Sequence, residues 1–153
     1  MENQILTVEL FCPYHTNCIA NGRDMPIEIT IKNTSSSVIG FPLAYMNRLG
    51  PSGRLFDNIT KTEISLRTGM PDWRFKDIFT KMHPGESVKM STILYIDEIH
   101  AFKQEYVDIT AEIGIVSNIR IDDQVETTKF SGYSTIQILD KKTYRERSRT
   151  ISP

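Results

Sequence analysis

The stretch Cys12-Pro13-Tyr14-His15-Thr16-Asn17-Cys18 gathers both cysteines of the chain and one of its three histidines. Such a set could ligate a metal, exchange electrons or form a covalent staple. Zinc sites use close cysteine pairs and four nitrogen or sulfur ligands. Here five residues separate the cysteines, and His83 and His100 are the only other histidines, so no metal site is expected. The spacing also differs from the C-x-x-C of redox proteins. A disulfide is geometrically open to the pair, but a reducing cytosol opposes it. The reading favoured over it is two half-buried thiols flanking a loop of turn formers, Pro13, Asn17, Asn21 and Gly22.

Other chemistry is sparse. No G-x-S-x-G elbow occurs, and serines cluster at Ser35 to Ser37 in a turn. Cys12 or Cys18 with His15 lies on one short loop, too local to converge on a substrate carbonyl. His100 beside Asp97 and Glu98 reads as a solvated turn, and Asp122-Asp123 as hairpin residues. No glycine-rich loop is placed to cradle phosphate. The expectation is a protein that is not an enzyme, with no catalytic residue and no cofactor.

The net charge of −1 over 153 residues hides an asymmetry. Residues 140–153 carry Lys141, Lys142, Arg145, Arg147 and Arg149 against Asp140 and Glu146, while the body is mildly acidic. The body has no basic face, so no nucleic-acid partner is expected. No apolar run approaches the ~18 residues that span a bilayer, so no membrane role is expected. The start, MENQILTVELF, lacks the pattern of a secretory signal, so a cytoplasmic protein is expected if Met1 is native.

Period-two alternation dominates the chain. Strands are expected at Ile5–Phe11, Ile27–Asn33, Val38–Leu43 (broken at Pro42), Gly53–Asp57 and Glu63–Arg67. Others follow at Ser87–Leu94, Val107–Ile115, Glu126–Phe130 and Tyr133–Leu139, the last two parted by Gly132. Helix signals are confined to single turns at Asp77–Met82 and Asp97–Phe102. The pattern predicts an all-β fold, an immunoglobulin-like antiparallel β-sandwich of about seven to nine strands with one long middle loop. A β-barrel is the alternative. The sandwich domain is expected over residues 1–139, followed by a basic, flexible tail at 140–153.

Ile27-x-Ile29-x-Ile31-x-Asn33-x-Ser35, followed by Phe79-Thr80-Lys81-Met82-His83-Pro84-Gly85-Glu86-Ser87, has a familiar layout. Over roughly residues 27–116 it resembles small bacterial immunoglobulin-like β-sandwiches. It is most similar to the non-catalytic N-terminal domain of deuterolysin-type metalloproteases and to intracellular proteinase-inhibitor domains. Met82 stands where leucine is common, and no H-E-x-x-H occurs, so no protease activity carries over. The resemblance implies a sandwich fold and a tendency to bind other proteins, often proteases or toxins.

The long loop 67–83 holds the only tryptophan, and long loops are often functional. Trp73, Arg74 and Phe75 are of the types enriched in binding hot spots. Tyr45 and Arg48, on the apolar stretch Phe41–Leu49, form a second candidate. These five residues are the expected partner-binding set. For the loop itself the reading favoured over a partner surface is a plug, with Trp73, Phe75, Ile78 and Phe79 closing one end of the sandwich; a mixed form turns Ile78 and Phe79 inward and Trp73-Arg74 outward. Two functions follow from this. One is a binding module that blocks a protein partner, of protease-inhibitor or toxin-immunity type. The other is an assembly subunit that forms a homo-oligomer through edge strands.

Overall fold

Ile27, Ile29 and Ile31 alternate with Glu28, Thr30 and Lys32, and in the computed structural model all three isoleucines are fully buried. Residues 5–13 and 18–151 are described, with side chains through residue 147. His15 lies outside the described residues. In chain order the first strands are β1 (Leu6–Phe11), β2 (Ile19–Ala20), β3 (Met25–Asn33), β4 (Ile39–Phe41), β5 (Ser52–Asp57) and β6 (Thr62–Ser65). They are followed by β7 (Thr80–Met82), β8 (Ser87–Leu94), β9 (Asp108–Ile121) and β10 (Thr128–Asp140). Three helices, α1 (Leu43–Leu49), α2 (Ile96–His100) and α3 (Lys141–Ile151), interrupt or end the series.

Two sheets result. In the first, β3 is flanked antiparallel by β1 and β8. In the second, β9 is the spine and pairs with β10 along most of its length. On its other edge β9 meets β5 as far as Gly114, and then β4 at Arg120 and Ile121. β6 extends β5, and β7 extends β4. Isoleucines from both spines fill the interior: Ile27, Ile29 and Ile31 from β3, and Ile109, Ile113, Ile115 and Ile119 from β9. Each such burial stabilises the fold by about 2 kcal/mol relative to exposure.

The all-β sandwich is therefore the fold, with ten strands among the described residues rather than seven to nine. The additional strands are short. β2 has two residues and pairs parallel with the end of β10. β7 occupies part of the Asp77–Met82 segment expected as a helical turn, because Met82 pairs with Ile39 across the sheet. β10 runs unbroken through Gly132. A Cβ there would lie 2.7 Å from Cζ of Phe130, so this glycine makes room for a neighbouring ring and does not turn the chain.

Asn33 explains why its motif and the Pro84-Gly85-Glu86 turn occur together. Its buried side chain donates to the carbonyls of Ser37 (2.7 Å) and Met82 (2.8 Å) and accepts from Ser35 N (3.0 Å) and Oγ (2.7 Å). Its backbone N–H donates to Glu86 O, and its carbonyl accepts from Gly85 N, each at 2.9 Å. Gly85 takes φ 86°, which a side chain would disfavour.

Two expectations change. Cys12 and Cys18 are not free thiols but a disulfide, with their Cα atoms 5.5 Å apart. Cys12 directly follows β1 and Cys18 directly precedes β2, and their Cα separation lies within the range a disulfide spans. The segment 140–153 is also not an unstructured tail, since residues 141–151 form α3. Asp140 Oδ1 caps the helix by accepting from Thr143 N at 2.7 Å. Thr143 is buried, and Arg147 pairs with Asp108.

Candidate functional site

All five expected partner-binding residues come together. Tyr45 and Arg48 lie three residues apart on α1, hence on one face, while Met46 turns into the core. The loop that opposes them is pinned at Gly69, whose N–H donates to the Leu49 carbonyl at 2.7 Å. A Cβ on Gly69 would fall on the Arg48 carbonyl oxygen, so only glycine permits this approach.

Asp72 then organises the loop. It caps a single 3-10 turn, Trp73–Phe75, by accepting from Arg74 N at 3.1 Å. The same carboxylate takes Arg74 Nε (3.0 Å) and a terminal guanidinium nitrogen (2.8 Å), with Arg48 3.4 Å away. The hydrogen bonds from Arg74, helped by the charges of Arg74 and Arg48, lower the Asp72 carboxyl to about 2. The pair stays ionised at any physiological pH.

Aromatic faces complete the cluster. The Tyr45 and Trp73 rings lie 6.0 Å apart at 44°. Arg48 sits 4.9 Å over Phe75 and Arg74 sits 5.7 Å from the same ring. Lys76 is 5.4 Å from the Trp73 ring. Trp73 is 65% exposed, so it does not plug the sandwich. Ile78, expected to point inward in the mixed form of the plug, is 54% exposed. Phe79 is half-buried under the Arg120 guanidinium at 4.5 Å.

Beside the cluster a groove of about 380 Å³ runs between α1 and the second sheet. Pro42, Tyr45, Met46 and Leu49 form one wall, and Val116, Ser117 and Asn118 of β9 the other, with Trp73, Lys76 and Lys129 at the rim. Sequence reading missed Asp72, Lys76 and Lys129. Asp72 had a local signal, an aspartate two residues before an arginine after Pro71. Lys129 had none, because only the β9–β10 pairing brings it here.

A second polar cluster surrounds Asp108. Its buried carboxylate accepts from Asn58 (2.9 Å), Gln137 (3.3 Å) and Arg147. Burial pushes the carboxyl up, but the hydrogen bonds from Asn58 and Arg147, with the Arg147 charge and Gln137, outweigh it and hold the group below 3.8. Elsewhere His100 is exposed, and no set of three His, Cys, Asp or Glu side chains converges as metal ligands among the described residues. Bridged to each other, Cys12 and Cys18 offer no thiolate to a metal.

No protein-family model matches the chain, and no curated protein matches it. Among solved structures it is similar to a structural-genomics target, SoR45, with 9% identity and a TM-score of 0.49 over 93% of this chain and 92% of that one. It is also similar to part of a β-glucosidase from Erythrobacter marinus, with 13% identity and a TM-score of 0.34 over 87% of this chain and 15% of the enzyme. Neither likeness is close enough to carry an argument about function. Among the described residues no helix is long and apolar enough to cross a membrane.

Proposed function

We propose that this protein is a non-catalytic protein-binding module that blocks or neutralises a partner such as a protease or a toxin, and that the Tyr45, Arg48, Trp73, Arg74 and Phe75 cluster is its recognition face. The observation that carries this reading is the exposed Trp73, braced by Tyr45 and by an Asp72-capped turn. An ordered, solvent-facing tryptophan among arginines is what a central interface anchor requires. The test is affinity measurement with the co-purified partner. Trp73→Ala and Arg48→Ala should each weaken binding by about 2 kcal/mol, roughly thirtyfold, with unchanged circular dichroism. Affinity unchanged in both variants would remove the face from the reading.

The assembly reading has one observation in its favour. β8 is an eight-residue edge strand, and its outer side pairs with no other strand among the described residues. Light scattering separates the two, since a monomer at micromolar concentration excludes edge-strand assembly. The Cys12–Cys18 disulfide also bears on location. It favours work in an oxidising compartment over the cytoplasmic residence expected from the first residues. Thiol titration of the freshly isolated protein, with and without denaturant, tests this; two titratable thiols would restore the cytoplasmic reading.

A further inference from the structure

The groove beside Trp73 is flanked by more positive charge than its surroundings neutralise. Arg48 and Arg74 share the single carboxylate of Asp72. Lys76 and Lys129, both on the groove rim and both exposed, have no carboxylate within ion-pair distance among the described residues. Two cations on the groove rim with no ion pair among the described residues are the reverse of the mildly acidic body. Like charges gathered on one rim steer and hold an anionic partner.

The floor and wall add shape. Leu49, Tyr45 and Trp73 supply apolar surface over the buried Pro42 and Met46, in a volume near the lower end of the ~300–1,000 Å³ typical of ligand sites. That is room for one large apolar side chain and a little backbone. The opposite wall is the part of β9 between its two partners on that edge. β5 stops at Gly114 and β4 begins at Arg120, so the stretch between has no strand beside it there among the described residues. An extended chain suits such a gap, with one side chain in the groove and its neighbours turned to the rim.

We infer that the groove takes an extended acidic segment of the partner protein, with an apolar or aromatic side chain seated against Tyr45 and Trp73 and flanking carboxylates paired with Lys76 and Lys129. This rests on the binding-module reading and names the chemistry of what is bound.

Trp73 is the only tryptophan, so its fluorescence reports occupancy of the groove directly. The probes are end-blocked pentapeptides with a central phenylalanine flanked by aspartate and glutamate, the same peptide flanked by lysine, and the acidic peptide with central alanine. The acidic phenylalanine peptide should give a saturable change in Trp73 emission within about 1 mM, and the other two should not. Its affinity should fall with added salt and by about tenfold or more in the Lys76→Glu, Lys129→Glu double variant. The salt series uses the native protein and so stands even if the double variant fails to fold. Equal response to the lysine-flanked peptide, or salt-independent binding, overturns the acidic assignment and leaves Trp73 as a binding face. No response to any of the three overturns the groove as a peptide site. The partner-affinity loss in Arg48→Ala is then read independently, because Arg48 belongs to the face and does not line the groove.

Discussion

Asp108 and Asp72 each hold an arginine, but one does so beneath the surface and the other in the open. Asp108 begins β9, is buried, and is closed over by Asn58, Gln137 and Arg147 from three different parts of the chain. Its contacts tie the β5–β6 hairpin, β10 and α3 to one point. Asp72 is held by Arg74, two residues away, and by Arg48, and both guanidiniums also lie over the Phe75 ring. The groove beside it adjoins Val116 to Asn118, about 30 Å farther along β9 at ~3.3 Å per residue. In the first cluster the buried carboxylate has both oxygens engaged by neighbouring side chains. The second uses one carboxylate to orient side chains whose faces remain open. A charged cluster is informative about function when its members have capacity left over.

The largest expected effect lies at the closed cluster. Asp108→Ala should destabilise the protein by about 3 kcal/mol in urea unfolding, because it strands Asn58, Gln137 and Arg147 around a void. A loss under about 0.5 kcal/mol, the scale of an ordinary surface change, would erase the contrast with Asp72.

Next comes the disulfide, which ties the end of β1 to the start of β2. β2 pairs with the end of β10, where Asp140 caps α3. Opening this short loop should cost about 2 kcal/mol by the loop-entropy estimate. Cys12→Ser, Cys18→Ser protein should show that loss in urea while Trp73 emission stays unchanged. A shift in emission would mean that the two regions are coupled.

Acid sharpens the comparison further. Asp108 and Asp140 both titrate below 3.8 in the folded protein; for Asp140 burial opposes the shift, and the Thr143 and Val107 backbone hydrogen bonds outweigh it. A carboxyl depressed on folding contributes fully above its unfolded pKa and loses that contribution as pH falls toward the folded value. Stability should therefore hold down to about pH 5 and drop below about pH 4, and Asp108→Asn should flatten the drop. An unchanged acid limb in Asp108→Asn would show that other carboxyls govern it.

The smallest effect on folding is expected at Trp73. Trp73→Ala should change stability by no more than about 0.5 kcal/mol in the same urea assay. A cost of ~3 kcal/mol would mean that the exposed ring is a structural plug after all.

The sandwich was legible because alternation is strict where one face is buried: Ile27-Glu28-Ile29-Thr30-Ile31 could occupy little else. The members of the candidate cluster were legible by type, since Trp, Tyr and Arg are enriched in binding hot spots, and the fold brings Trp73, Arg74, Phe75, Tyr45 and Arg48 together. What was not legible depends on distant pairing. β7 is a strand because Met82 meets Ile39, and Lys129 reaches the groove only through β9. α3 is built from polar residues that look like a solvated end, and its docking depends on Asp108, far earlier in the chain. The disulfide was not legible because the spacing of Cys12 and Cys18 is open to thiols and to a bridge alike, and only the folded approach of their Cα atoms to 5.5 Å decides it.

The hydrogen bond from Gly69 to the Leu49 carbonyl fixes where the long loop departs, and the Asp72-capped turn fixes where it points. The consequence is kinetic. A loop shaped in advance gives up little freedom on complex formation, so docking needs no prior rearrangement. Binding should therefore show a single phase whose observed rate rises linearly with partner concentration, starting from the about 10⁵–10⁷ M⁻¹ s⁻¹ of rigid surfaces and raised by its cations at low salt. Replacing Gly69 would introduce a lag before it altered any group that touches the partner.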